Sequence, residues 1–170
     1  MNTINIIIGN ICSLLAMVTD TISSTRKTAK GVLLVQSLSQ LIYCTGTIVL
    51  KGYSSSVQNI VSIFRNFAAI KKIESKALEI TLLILGVVLG IACNNLGLIG
   101  YLPIIANLQY TWAVFRFKDN DRALKISFAI CIALFVVFNG AIYNIVGVFS
   151  NLVVLISTII VLLKSPKIVN

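Results

Sequence analysis

LEITLLILGVVLGIAC, residues Leu78–Cys93, is the stretch on which the reading of the chain turns. It is one apolar run, with three apolar runs before it and three after it. Two like halves of three helices pose a topological problem. After three crossings a chain lies on the opposite side of a membrane from its start. For the second half to lie parallel to the first, one extra crossing must reset the side, and Leu78–Cys93 supplies it. The run is short against the ~20 apolar residues of an ordinary span. Ile80 and Thr81 lie within it, and Glu79 is placed at headgroup level. Gly86 and Gly90 are four apart, the small-residue spacing that lets helix backbones approach closely in lipid.

Composition agrees. The chain has 170 residues, of which 58% are hydrophobic and 11% charged, with a mean hydropathy of +0.99. Soluble domains run nearer 45–50% apolar and about 25% charged, so lipid is the expected solvent for most of this surface. The net charge of +9 does not point to nucleic acid, because the cations are confined to short loops between apolar runs. There they act as orientation signals. The N-terminus shows no basic region and no small-residue cleavage pattern, so no removable signal peptide is expected. Cys12, Cys44, Cys93 and Cys131 fall inside or at the end of apolar runs, none at metal-pair spacing, and there is no histidine. They are expected as small packing residues, with no metal and no cofactor.

Outward from the connector, the expected spans are Ile4–Ile22, Gly31–Leu50 and Tyr53–Ile70 before it, and Leu96–Phe115, Ala123–Tyr143 and Ile145–Leu163 after it. The fold class is all-α: seven transmembrane helices, built as two parallel three-helix repeats (residues 1–76 and 96–170) joined by a connector helix (77–95). Polar stripes at helical spacing mark inward faces: Asn10, Ser13, Met17 and Asp20 on the first span, Gln36, Gln40, Tyr43 and Thr47 on the second, and Ser55, Asn59, Ser62 and Asn66 on the third. Basic residues gather in the loops after spans one, three and five and in the tail (Arg26, Lys27, Lys30; Lys71, Lys72, Lys76; Arg116, Lys118, Arg122; Lys164, Lys167), whereas the other side carries only Lys51. Basic loops face the cytoplasm, which puts the N-terminus outside and the C-terminus inside.

A shift of about 91 residues lays spans five, six and seven on spans one, two and three. Gly9 then meets Gly100 and Lys27 meets Lys118; with one residue more, Asn59 meets Asn151. Carriers built from parallel repeats bind solute near the midplane, between the repeats. Asn59 and Asn151 each lie roughly 4–5 Å from their helix centres toward the outside, and Gln40 and Asn107 lie near the centres of spans two and five. Four amides at nearly one depth form a candidate substrate site, suited to a neutral, hydroxyl-rich, amide or heterocyclic solute because amides both donate and accept. Their competing role is interhelical hydrogen bonding that holds the bundle together. Asp20 and Arg65 are ionisable residues near the inner ends of their helices, a candidate gate pair, although Arg65 also has the reach to snorkel to the headgroups. Pro103 is a candidate hinge beside Asn107, since proline removes a backbone donor.

LPIIANLQYTWAVFRFKDNDRALK (Leu102–Lys125), FVVFNGAIYNIVGVFSN (Phe135–Asn151) and QNIVSIFRNFAAIK (Gln58–Lys71) together resemble the YgjV family of bacterial inner-membrane proteins, most specifically at TWAVFR (Thr111–Arg116). The resemblance implies a multi-pass protein of the inner membrane. The span pattern is also similar to that of the SWEET and PQ-loop group, in which paired asparagines on the third and seventh spans contact the solute; Asn59 and Asn151 hold those positions here. Pro103 is followed by Ile104 rather than glutamine.

The expected function is carriage of a small polar solute by rocking one three-helix half against the other. The alternative is a non-transporting scaffold that binds a partner or lipid, and the basic inner loops suit anionic lipids. Expected partners are membrane lipids and the solute, with self-association into a homo-oligomer admissible. An enzyme is not expected, because Asp20 alone makes a poor acid–base apparatus.

Overall fold

Each of the seven apolar runs folds as a helix. The computed structural model describes residues 2–24, 29–71, 73, 75–117 and 120–164. Within them the order is α1 (Thr3–Ser24), α2 (Ala29–Val49), α3 (Tyr53–Ile70), α4 (Lys76–Ala92), a 3₁₀ turn (Gly97–Gly100), α5 (Tyr101–Arg116), α6 (Asp121–Ala141) and α7 (Ile145–Lys164). Local chemistry sets the helix starts. Ser75 caps α4 by accepting from the Leu78 N–H at 3.4 Å, and Asn120 caps α6 by accepting from the Ala123 N–H at 3.0 Å. Of the loop residues read as orientation signals, Arg26, Lys27, Lys72, Lys118 and Lys167 lie outside the described residues.

The distribution of side chains is the reverse of a soluble core. Among the described residues more polar than apolar side chains are buried, with Ser, Thr, Asn and Gln prominent, while large apolar residues of every long helix are exposed. A bundle with a polar interior and an apolar exterior is stable when lipid surrounds it. Four segments are long and apolar enough to cross a membrane on composition alone: Thr3–Ile22, Gly97–Arg116, Arg122–Ala141 and Ile145–Leu163. The apolar part of α2 is shorter, at Leu33–Val49, and α4 has 17 residues. α3 carries Ser, Asn and Gln on a broad buried face, which lowers its hydropathy while its neighbours shelter it.

The helices pack in a closed ring in the order α1, α2, α3, α5, α6, α7 and back to α1, and α4 lies outside the ring against α3 and α5. α3 and α7 therefore stand opposite each other, as do α1 and α5. At one end of the ring, the ends of α2 and α6 meet in an apolar cluster of Leu50, Phe138 and Ile142, backed by Leu96, Leu102 and Phe135. Gly9 makes room for Leu50, since a Cβ there would run into that side chain. The starts of α2 and α6, with Lys30, Arg122 and Lys125, consequently lie at the far end of the bundle.

Two turns at the apolar end share one geometry. After α2, Lys51 is left-handed (φ 59°), with the Gly52 N–H on Thr47 O at 2.7 Å and the Lys51 N–H on Ile48 O at 3.0 Å. After α6, Tyr143 is left-handed (φ 59°), with the Asn144 N–H on Asn139 O at 2.9 Å and the Tyr143 N–H on Gly140 O at 3.2 Å. Both are Schellman caps, which satisfy the last helix carbonyls. Each also receives an amide from elsewhere in the ring. Asn95 Nδ2 donates to Lys51 O at 2.8 Å, and Asn10 Nδ2 donates to Tyr143 O at 3.0 Å, while Asn10 Oδ1 accepts from the Val146 N–H at 2.9 Å.

The expected fifth span differs at its start. Leu96–Gly100 forms the 3₁₀ turn and its cap, and Pro103 is the third residue of α5. A proline in the first turn of a helix removes a donor that has no partner within that helix. α5 then runs unbroken through Asn107 to Arg116, so the irregularity expected beside Asn107 falls before the proline instead.

Candidate functional site

α3 is the polar helix of the bundle, and its polar residues divide between two faces. Gln58, Ser62 and Arg65, at i, i+4 and i+7, meet α4 and α5. Gln58 Nε2 donates to Gly86 O at 2.8 Å, and Gln58 Oε1 accepts from Asn107 Nδ2 at 2.8 Å. Asn107 Oδ1 accepts from Ser62 Oγ at 3.3 Å, from Arg65 Nη1 at 3.4 Å and from Thr111 Oγ1 at 3.5 Å. Arg65 Nη1 also donates to Thr111 Oγ1 at 3.3 Å, and its guanidinium lies 5.3 Å from the Tyr110 ring centroid, a cation–π arrangement. A cavity of about 10 Å³, lined by Gln58, Asn107 and Thr111 among apolar neighbours, offers space for a single water.

The two glycines of α4 make this network possible. Gly86 and Gly90 are both buried. A Cβ on Gly90 would come within 2.7 Å of Gln58 Nε2 and 2.8 Å of Ile104 Cγ1, and one on Gly86 within 3.3 Å of Gln58 Oε1. The close-approach spacing thus opens a slot through which Gln58 reaches the backbone of α4. Asn107 differs from its expected role: both ends of its amide are engaged by neighbouring helices, as a bundle-holding residue requires.

The other face of α3 behaves differently. Ser55, Asn59 and Asn66 are buried, yet among the described residues none makes a side-chain hydrogen bond. Nor are they sealed, for the sealed polar atom without a partner among the described residues is Ser54 Oγ. Their polar atoms therefore keep contact with space that a water can enter. Asn151 on α7 and Gln40 on α2 are partly buried and likewise make no side-chain hydrogen bond among the described residues. No hydrogen bond joins Asn59 to Asn151; they sit on helices that face each other across the ring.

Asp20 and Arg65 are not paired. Asp20 belongs to α1, which packs against α2 and α7, and the Ser39 hydroxyl of α2 donates to Ala16 O of α1 at 3.4 Å. Arg65 is turned instead toward Asn107, Thr111 and Tyr110 of α5. Snorkelling also fails as its account. Helix side chains lean toward the N-terminus of their helix, and both Arg65 acceptors belong to the middle of α5. Among the described residues there is no group of acidic or sulfur side chains able to hold a metal.

An all-helical bundle with a lipid-facing apolar exterior and a polar α3 narrows the identity, and comparison decides it. Residues 7–167 match the family model Imp-YgjV, bacterial inner membrane protein. The chain belongs to the Imp-YgjV family. No curated protein and no solved structure matches it. Within this YgjV-family chain, sequence reasoning passed over Gln58, Thr111, Tyr110 and the slot role of Gly90. One signal was present: Gln58, Ser62 and Arg65 repeat at i, i+4 and i+7 on α3, and Asn107 and Thr111 repeat at i and i+4 on α5, two short polar stripes at helical spacing.

Proposed function

We propose that this YgjV-family protein carries a small polar solute across the bacterial inner membrane, moving residues 1–76 against residues 96–170. The observation that carries the reading is the pair of faces on α3. On one, Gln58 and Ser62 are engaged by hydrogen bonds to α4 and α5. The other holds buried Ser55, Asn59 and Asn66 without partners. Buried polar groups are costly when left unbonded, and a chain that only needed a stable bundle would gain from bonding them or replacing them with apolar residues. Groups that must exchange water for a solute have to stay open.

Several features support a two-fold plan for the carrier. In the ring order, α1 meets α7 as α5 meets α3, the pattern that exchanging the halves would produce. The Schellman turns at Lys51 and Tyr143 are 92 residues apart, the same shift that relates Asn59 to Asn151. The asparagine clamps on those two carbonyls and the Leu50–Phe138–Ile142 cluster would close the Lys51 end. Asn59, Asn151 and Gln40 then form the solute-facing set, Asn66 joins it, and Asn107 serves as a brace.

The test is a thermal-shift screen of the purified protein against sugars, nucleosides, vitamins and amino acids, with the Asn59→Ala, Asn151→Ala double variant alongside. A solute that stabilises the wild type saturably by mass action, and leaves the variant unmoved, is the expected result. A flat screen with a strongly destabilised variant would make the asparagines structural. That outcome would favour the second reading, a lipid-binding scaffold, for which there is one specific feature: an all-apolar groove of about 260 Å³ between α4 and α5, lined by Leu83, Ile84, Val87, Val88 and Leu108.

A further inference from the structure

Arg65 is a cation inside the bundle with no carboxylate paired to it among the described residues. Its guanidinium has five N–H donors. Nη1 serves Asn107 and Thr111, and the guanidinium carbon lies 5.3 Å from the Tyr110 ring centroid. The Nε and Nη2 donors have no acceptor among the described residues. Those donors lie along one edge of the planar group and make the fork that binds a carboxylate or phosphate through two parallel hydrogen bonds. Asn107, Thr111 and Tyr110 fix the head in place. Arg65 is partly buried, and its hydrogen-bond and ring partners all belong to α5, so the site lies between α3 and α5.

A charge taken into a bundle of this kind is expensive unless it is paired and fully hydrogen-bonded. Intramembrane arginines without a counter-charge mark pathways for ions and charged solutes. Among the described residues the chain supplies neutral oxygens to one nitrogen only. Asp20, the acidic residue within α1, sits on a helix that packs against α2 and α7 and forms no ion pair with Arg65. Lys30 and Lys125 stand at the far end of the bundle, where they would draw an anion toward the ring.

We propose that the Nε–Nη2 edge of Arg65 binds the anionic group, a carboxylate or phosphate, of the solute this protein carries. The inference rests on the carrier reading and narrows it. The open amides of Asn59 and Asn151 meet the polar body of the solute, and Arg65 meets its acid. The solute is then a small hydroxyl- or amide-bearing acid, not a neutral sugar.

The experiment compares matched probes on the purified full chain in detergent: gluconate against glucose, glycerol 3-phosphate against glycerol, and N-acetylglutamate against N-acetylglutamine. At least one anion should stabilise the wild type saturably while its neutral partner does not. Arg65→Gln should weaken that binding by roughly tenfold or more, the loss expected for a charge-assisted hydrogen bond. Arg65→Lys, which keeps the charge and loses the fork, should fall between the two. If Arg65→Gln does not fold, the matched pairs and Arg65→Lys decide alone. Equal stabilisation by anion and neutral partner, no stabilisation by any anion, or undiminished binding to either variant overturns the proposal. So does Arg65-dependent stabilisation by phosphatidylglycerol with no effect of the soluble anions, which would assign the fork to a lipid headgroup. Uptake into proteoliposomes separates the two readings. An anion bound through Arg65 but never taken up sinks the carrier and leaves the site; a neutral solute taken up independently of Arg65 does the reverse.

Discussion

Gly90 shows how much a missing side chain can matter in this bundle. Its Cα faces Gln58 Nε2 and Ile104, and a methyl group there would lie well inside van der Waals contact with both. The Gln58 amide has no freedom to retreat, because it is held by Gly86 O on one side and Asn107 on the other. Gly90→Ala should therefore destabilise the protein by about 1–3 kcal/mol, the usual cost of overpacking, seen as a lower melting temperature in detergent. Gly140→Ala is the matched control: the nearest atom to its Cβ, Val148 Cγ2, is at an ordinary 3.9 Å, and its melting temperature should hold. Equal effects at the two glycines would discredit the slot. The seam itself was legible in the sequence from the Gly86–Gly90 spacing. What fills it was not. Periodicity places Gln58 on a face of α3 but does not say which helix that face meets. For the same reason Asn107 was read as solute-facing, when in the fold α3 approaches α5 closely enough to consume its amide.

At the level of elements, apolar run lengths located all seven helices, and the third span agrees at both ends, Tyr53–Ile70. The fifth span is interrupted at its start, where Gly97 (φ +57°) and Gly100 permit a 3₁₀ turn, and Pro103, expected as a hinge beside Asn107, follows as the third residue of an unbroken α5. The Schellman geometry of the two turns was not legible, because their left-handed positions hold Lys51 and Tyr143 in place of the usual glycine. An L-residue pays about 1–2 kcal/mol to sit there. Both side chains are exposed, and it is the backbone carbonyl of each that Asn95 or Asn10 engages, so neither turn depends on the side chain it carries. Lys51→Gly and Tyr143→Gly should each stabilise the protein by about 1 kcal/mol, reduced somewhat by the greater unfolded-state entropy of glycine. Chemical or thermal melts of the single variants check this. A loss of stability at either site would mean that the side chain contributes to closing that end.

The whole molecule has a polarity that no single helix reveals. Lys51 stands at the end closed by Leu50, Phe138 and Ile142, while Lys30, Arg122 and Lys125 lie at the other. Positive residues are retained on the cytoplasmic side, so the Lys51 end should face outward. The chain carries its own reporter for this. Cys93 caps α4 and is exposed, whereas Cys44 and Cys131 are buried and Cys12 is partly covered within α1. Two residues on, Asn95 is hydrogen-bonded to Lys51 O, which fixes Cys93 at the Lys51 end. In right-side-out spheroplasts of a bacterial host, a membrane-impermeant maleimide should label the wild-type protein, and Cys93→Ser should abolish the labelling. A cysteine placed at Lys71, in the Cys93→Ser background, should react only after the membrane is permeabilised. If Lys71 labels in intact spheroplasts and Cys93 does not, the orientation is reversed, and the closed end of the ring, together with the direction from which a solute would reach Arg65, must be reversed with it.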